Sequence, residues 1–84
     1  MATNGTIRLT AIREMLTHCA PGYEMQPKEH RIWIRFGGKL YPSLPKGKHG
    51  RMAGAEIEIG HVKRMVRFFG LRDCARKILP QLKL

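Results

Sequence analysis

The chain has 84 residues and a formal net charge of +10, which limits it to one small domain and favours a polyanionic partner such as nucleic acid. A hydrophobic content of 43% is too high for an intrinsically disordered polyelectrolyte, so the chain is expected to fold. No apolar run reaches the roughly 20 residues that cross a bilayer, and no secretory signal pattern is present. We therefore expect a cytoplasmic protein with no membrane partner.

The first predicted element is an amphipathic helix. Residues 1–8 show no periodicity and predict a flexible lead, so the domain is expected to occupy residues 9–84. From Thr10 to Cys19 apolar residues recur at the spacing of one helix face, with Thr10 as the expected N-cap. The Pro21-Gly22 step then ends the helix.

Three strand signals follow in the order Tyr23–Gln26, Arg31–Phe36 and Leu40–Leu44. In the second signal, apolar residues alternate with Arg31, Trp33 and Arg35, which predicts one apolar face and one basic face that carries an indole. Pro42 cannot donate to a ladder hydrogen bond, so the third strand is expected at the edge of the sheet.

The connection between the second and third strands decides which side chains share a face. A two-residue turn at Gly37-Gly38 would place Arg35 opposite Leu40 and mix the apolar and basic faces. A three-residue loop keeps one side apolar throughout, and its pairs are Phe36 with Leu40, Ile34 with Pro42 and Ile32 with Leu44. We therefore expect the three-residue loop, Gly37–Lys39.

The rest of the chain predicts a loop and two helices. Residues 45–54 lack hydrophobic periodicity and are rich in glycine and basic residues, which favours a loop long enough to be functional. A helix ending at Gly70 follows, and its apolar stripe is Val62, Met65, Val66 and Phe69. A short final helix near Arg72–Leu82 is expected to direct Cys74, Ile78 and Leu82 to the core.

This order, α-β-β-β-α with a short C-terminal helix, predicts a two-layer α+β domain. Its three-stranded antiparallel sheet would carry the helices on one face, as in the double-stranded RNA-binding (dsRBD) fold. Cys19 and Cys74 have no C-x-x-C spacing and are expected to be free thiols. The four histidines lack metal-ligand spacing, so neither a metal nor another cofactor is expected.

Three groups of residues are candidates for RNA binding. The hairpin group is Arg31, Trp33, Arg35 and Tyr41, whose rings and guanidinium groups suit bases and phosphates. The loop group is Lys46, Lys48, His49 and Arg51, and the helix group is Lys63, Arg64 and Arg67. The hairpin surface is equally typical of a protein interface, where Trp, Tyr and Arg are favoured anchors.

His30 is the candidate for catalysis because it lies between the basic residues Lys28 and Arg31. An imidazole titrates close to neutral pH and can accept the proton of a ribose 2′-hydroxyl, which would make that oxygen a nucleophile. Nearby cations would stabilise the charge that develops on the phosphate. An ordinary surface histidine has the same appearance in a sequence.

The order and spacing of several short motifs carry a resemblance to a known family. The amphipathic helix ends before Gly22-Tyr23, and His30 is followed three places later by Trp33. The run Glu56–Val66 is similar to the pattern E-I-x-x-G-x-[LV]-[KR]-x-[ILM]-[LV] at the start of a helix. From about Thr6 to Leu71, the chain thus resembles the HicA toxins of bacterial toxin–antitoxin pairs.

The resemblance implies a dsRBD-like fold, metal-independent cleavage of translated RNA with His30 as the base, and neutralisation by a HicB-like antitoxin. The phosphate clamps would be Lys28 and Arg31, and the base-holding rings would be Trp33 and Tyr41. The family usually has Gly-Ser before the histidine, whereas this chain has Lys28-Glu29. The alternatives are a non-catalytic nucleic-acid-binding module of the same fold and a protein-interaction domain.

Overall fold

The structure, a computed structural model, describes residues 5–45 and 55–83. It is a mixed α+β domain with a three-stranded antiparallel sheet and three helices, as predicted. In chain order the elements are β1 (Thr6–Arg8), α1 (Leu9–Cys19), β2 (Glu24–Pro27), β3 (Arg31–Phe36), β4 (Lys39–Pro45), β5 (Glu56–Glu58), α2 (Ile59–Phe69), α3 (Arg72–Ile78) and a 3₁₀ helix (Pro80–Leu82). Within the described residues, no helix combines the length and apolarity needed to span a membrane.

A second, two-stranded sheet joins the strand before α1 to the strand before α2. β1 pairs antiparallel with β5, with Ile7 opposite Ile57, and both of these side chains are buried. Thr6 Oγ1 also donates a hydrogen bond of 2.7 Å to Glu56 Oε1. The predicted flexible lead is therefore wrong for residues 6–8, because their strand partner lies about 50 positions away in sequence and leaves no local signal.

The hairpin between β3 and β4 turns on two residues, so the predicted three-residue loop is wrong. Gly37 and Gly38 both have positive φ, of 61° and 79°, the conformation required by a tight type I′ turn. Strand pairing starts with Phe36 opposite Lys39 and is regular as far as the pair Ile34–Tyr41. A bulge then adds one extra residue to β4 before the next pair, Ile32–Leu44. The bulge restores the apolar face without a longer loop.

The strand order β2-β3-β4 confirms that β4, with its Pro42, lies at an edge of the sheet. One side of the sheet faces a single hydrophobic core, in which Ile32, Ile34 and Leu44 are fully buried together with residues of all the helices. We call this side the inner sheet face. The alternate β3 residues point the other way, to what we call the outer sheet face.

The apolar stripes of the helices largely follow prediction. In α2, Val62, Met65, Val66 and Phe69 are all buried, and Gly70 ends the helix with the left-handed φ of 71°. α1 begins at Leu9, one residue before the predicted Thr10 cap, and has no side-chain cap. α3 is shorter than predicted, ending at Ile78, whose side chain is exposed, whereas Leu82 is buried by the 3₁₀ helix.

Cys19 and Cys74 form a disulfide, so the prediction of two free thiols is wrong. Packing of α1 against α3 brings their Cα atoms to 5.6 Å, although they are 55 residues apart in sequence. That distance lies in the range of ordinary disulfides. The bond ties the last residue of α1 to the C-terminal segment, a proximity that sequence spacing does not reveal.

Candidate functional site

The outer sheet face is an exposed surface formed by alternate residues of three strands. Cross-strand register places Gln26 opposite Trp33 and Glu24 opposite Arg35, with Leu40 on the far side of Arg35. These five residues line a shallow pocket around the half-buried Trp33. The face therefore presents one large ring surrounded by polar groups.

Lys28 places its ammonium group over that ring. Its ammonium nitrogen lies 4.4 Å from the centroid of Trp33, within the distance of a cation–π contact. The backbone N–H of Lys28 also donates a 2.7 Å hydrogen bond to the carbonyl of Arg31, which closes the turn between β2 and β3. The turn thus holds Lys28 beside the indole.

Charge on this surface is mixed rather than uniformly positive. Arg31 and Arg35 are exposed on β3, and Glu24 stands opposite Arg35 in the adjacent strand. No ion pair within 4.0 Å joins Glu24 to Arg35 in the described part of the chain. Both guanidinium groups therefore remain available to anions in solution.

Tyr41 does not share this surface, which corrects the expectation that it projects with Trp33. The two-residue turn places it opposite Ile34 on the inner sheet face, and only 7% of it is exposed. Its ring packs 5.3 Å from Phe68 and 6.3 Å from Phe69, centroid to centroid. Such a buried ring offers no free face for a base.

His30 lies in the turn before β3, where its side chain is 84% exposed. Its Nε2 is 3.9 Å from Oε2 of Glu29, which is itself highly exposed, so this contact is weak. Arg31 follows it directly in the chain, and Lys28 precedes it by two positions. The imidazole can reach a solvent-borne ligand without any rearrangement of the fold.

The helix group of predicted binding residues does not join the outer sheet face. α2 packs against β4 on the inner side of the sheet, and Arg64 and Arg67 are exposed while Lys63 is half-buried. The helix group therefore lies on the other side of the sheet from Trp33, and its role in RNA binding stays a prediction. The loop residues Lys46, Lys48, His49 and Arg51 lie outside the described residues, and their role stays a prediction.

Sequence reasoning missed a second lysine–aromatic pair. Lys39 Nζ lies 5.5 Å from the ring centroid of Phe68 and donates a 3.2 Å hydrogen bond to the Phe68 carbonyl. Phe68 is 39% exposed and belongs to what we call the α2–β4 aromatic cluster, formed by Phe36, Tyr41, Phe68 and Phe69. The sequence offered one indication of this pair, because Phe68 directly precedes Phe69 of the buried stripe of α2.

Comparison with known proteins adds no relative. Neither a protein-family model, nor a curated protein, nor a solved structure matches this chain. The resemblance to HicA toxins therefore stays a prediction based on the motifs quoted above. Within the described residues, no three His, Cys, Asp or Glu side chains form a group able to hold a metal ion.

Proposed function

We propose that this protein binds single-stranded RNA with the outer sheet face and the turn between β2 and β3. The observation that carries the proposal is the Lys28–Trp33 pair, a half-buried indole with an ammonium group 4.4 Å from its centroid. An indole accepts stacking from any base, and such stacking contributes about 1–3 kcal/mol per base. The neighbouring ammonium and guanidinium groups suit the phosphates that accompany each base.

The same proposal includes the HicA-like activity and a dsRBD-like assignment of the fold. The order from α1 through β2, β3 and β4 to α2 supports that assignment, with β1 and β5 as additions. The exposure of His30 and its two basic neighbours support a role in cleavage. A HicB-like antitoxin that covers the outer sheet face would then neutralise the protein.

Cleavage at His30 would follow a metal-independent route. The imidazole takes the proton of a ribose 2′-hydroxyl, and the freed oxygen bonds to the adjacent phosphorus. The bond from phosphorus to the 5′-oxygen breaks, and that oxygen takes a proton from water, while the imidazolium gives its proton to the hydroxide that remains. The products are a 2′,3′-cyclic phosphate and a 5′-hydroxyl, while Lys28 and Arg31 stabilise the negative charge on the phosphate.

Incubation with end-labelled single-stranded RNA in EDTA tests this activity. We expect the wild type to cut the RNA and His30→Ala to leave it intact, with an unchanged circular dichroism spectrum. His18→Ala is the matched control, because His18 is also an exposed histidine but lies on α1. Cleavage by His30→Ala, or loss of cleavage in His18→Ala, would contradict the assignment.

A non-catalytic RNA-binding module is the second candidate. The observation that favours it is that Glu29, at 3.9 Å, is the only described charged partner of His30, and both side chains are surrounded by water. Catalytic bases are usually oriented by a firm hydrogen bond. Intact RNA, bound with an affinity that falls steeply with salt, would select this candidate over the nuclease.

A protein-interaction domain is the third candidate. The affinity of the protein for RNA is enough to distinguish it from the first two candidates. If the protein binds RNA no better than an unrelated protein of equal charge, the outer sheet face is not an RNA surface. Its indole and arginines would then suit a protein partner.

The proposal places the protein in the cytoplasm, where translated RNA is found. In that reducing compartment the Cys19–Cys74 disulfide is expected to open. The reduced protein must therefore still fold and bind RNA. Measuring RNA affinity with and without dithiothreitol checks this requirement, and equal affinities are the expected result.

A further inference from the structure

An open cleft lies beside β2 on the side of the sheet opposite to Trp33. Met25 stands opposite Ile34 and Pro27 opposite Ile32, which places both on the inner sheet face. With Tyr23 and Arg13 they line a cleft of about 460 Å³. That volume falls in the range of about 300–1,000 Å³ that is typical of small-molecule sites.

The apolar wall of the cleft is held by the fold. Tyr23 and Met25 are half-buried and pack against the hydrophobic core. Gly22, with a φ of 89°, makes the turn out of α1, and the Tyr23 N–H then donates a 3.0 Å hydrogen bond to the Ala20 carbonyl. The wall is thus preformed, which lowers the entropic cost of binding a flat ligand.

Arg13 supplies the polar side of the cleft. It is exposed on α1, and its guanidinium has no hydrogen bond or ion pair with any other residue in 5–45 or 55–83. A guanidinium carries five donors in a planar fork and no acceptor. It therefore favours a ligand that presents two neighbouring acceptors.

The cleft adjoins the β2–β3 turn, which is part of the surface proposed to bind RNA. β2 is an edge strand, and Pro27, at one end of the cleft, directly precedes Lys28 of the β2–β3 turn. A nucleic-acid strand that crosses the edge of β2 can contact both sides of it. The ligand that fits both surfaces is then a base of the same strand.

We propose that the cleft binds one guanine base of the bound RNA, an inference that rests on the proposed function. Guanine offers O6 and N7 as neighbouring acceptors for the fork of Arg13. Its two-ring surface covers more of the apolar wall of Tyr23, Met25 and Pro27 than a pyrimidine does. The cleft therefore gives the RNA site a preference for sequence, which the outer sheet face lacks.

The test compares oligouridine with the same oligomer carrying one central guanosine, adenosine or cytidine. The oligomers are 2′-O-methylated, so that attack by a 2′-hydroxyl cannot cleave them, and affinities are read by fluorescence anisotropy. We expect the guanosine oligomer to bind about tenfold more tightly than oligouridine, in the range of one bidentate Arg–guanine contact. Neither adenosine nor cytidine should produce this gain.

Variants then assign the preference to Arg13. Arg13→Gln should lose the guanosine gain, and Arg13→Lys, which keeps the charge but not the fork, should lose it too. Arg8→Gln, an equal loss of charge at an exposed residue of β1, should retain it. Circular dichroism checks that all three variants remain folded.

The outcomes separate this inference from the proposed function. Salt-dependent binding of all oligomers without a guanosine gain overturns the guanine site and leaves RNA binding intact. A guanosine gain that survives Arg13→Lys, or a larger gain with cytidine, also overturns it. Affinity no higher than that of an equally basic control protein overturns both.

Discussion

The two lysine–aromatic pairs of this protein have similar geometry and different surroundings. Lys28 stands 4.4 Å from the ring centroid of Trp33, and Lys39 stands 5.5 Å from that of Phe68. Phe68 packs against other rings of the α2–β4 aromatic cluster, and Lys39 also binds its backbone carbonyl. Trp33 takes part in none of the ring–ring contacts among the described residues.

The comparison teaches that the function of a lysine–aromatic contact depends on the residues around it rather than on the contact itself. In the α2–β4 aromatic cluster, the lysine joins the start of β4 to the end of α2 and so fastens the hairpin to the helical layer. On the outer sheet face, the equivalent pair borders a shallow pocket. We therefore expect substitutions in the helical layer to lower stability and substitutions on the outer sheet face to lower RNA affinity.

The largest change in stability is expected on removal of the disulfide in the helical layer. Replacing Cys19 and Cys74 by serine should lower the free energy of unfolding by about 4 kcal/mol, because the bond closes a loop of 55 residues in the unfolded chain. Urea denaturation measures this against the oxidised and the reduced wild type. A decreased RNA affinity of the variant, measured while it is folded, would break the separation between the two regions.

Tyr41→Ala should have the next largest effect. Removing a ring that is only 7% exposed leaves a cavity beside Phe68 and Phe69 and should cost about 3 kcal/mol of stability. Tyr41→Phe keeps the ring and serves as the matched variant, with near wild-type stability. If Tyr41→Ala instead weakened RNA binding and left the denaturation midpoint unchanged, the tyrosine would hold a base after all.

Trp33→Ala should show the reverse pattern. Loss of the stacking surface is expected to weaken binding of single-stranded RNA by about 2 kcal/mol, while the midpoint of thermal unfolding changes little. Trp33→Phe should recover most of the affinity because any aromatic ring can stack. Anisotropy titrations with oligouridine and melting curves on the same samples give both readings.

The paired lysines should give the smallest and most discriminating effects. Lys39→Met should lower the free energy of unfolding by about 1 kcal/mol, through loss of the carbonyl hydrogen bond and the contact with Phe68. Lys28→Met should instead reduce the slope of log affinity against log salt by about 0.7, the value for one phosphate contact to a single strand. Interchanged effects would show that the roles of the two pairs have been assigned the wrong way round.

Local pattern was sufficient to predict a large part of the fold. The bounds of β3, the buried stripe of α2, its end at Gly70 and the edge position of β4 all agree with the sequence. Each of these features depends on side-chain periodicity or on the backbone properties of glycine and proline. Such properties act over a few residues and are therefore readable without the tertiary structure.

Parts of the candidate site were beyond such reasoning. Alternation correctly placed Trp33 and Arg35 together, but it put Tyr41 with them because it assumed the three-residue loop Gly37–Lys39. The two-residue turn at Gly37-Gly38 shifts the pairing of β4 by one residue, and a shift of that size moves a side chain to the opposite face. The cleft beside Tyr23 and Arg13 also needed the placement of α1 and β2 on its two sides to become visible.

By itself, then, the sequence determined the basic charge, the helices, the central strand and the outward-facing position of its indole. Tertiary structure alone decided the pairing of β1 with β5 and the Cys19–Cys74 bond. The physical reason is separation along the chain. Periodicity reports the environment of neighbouring residues, whereas contacts between residues about 50 positions apart form only when the whole core is packed.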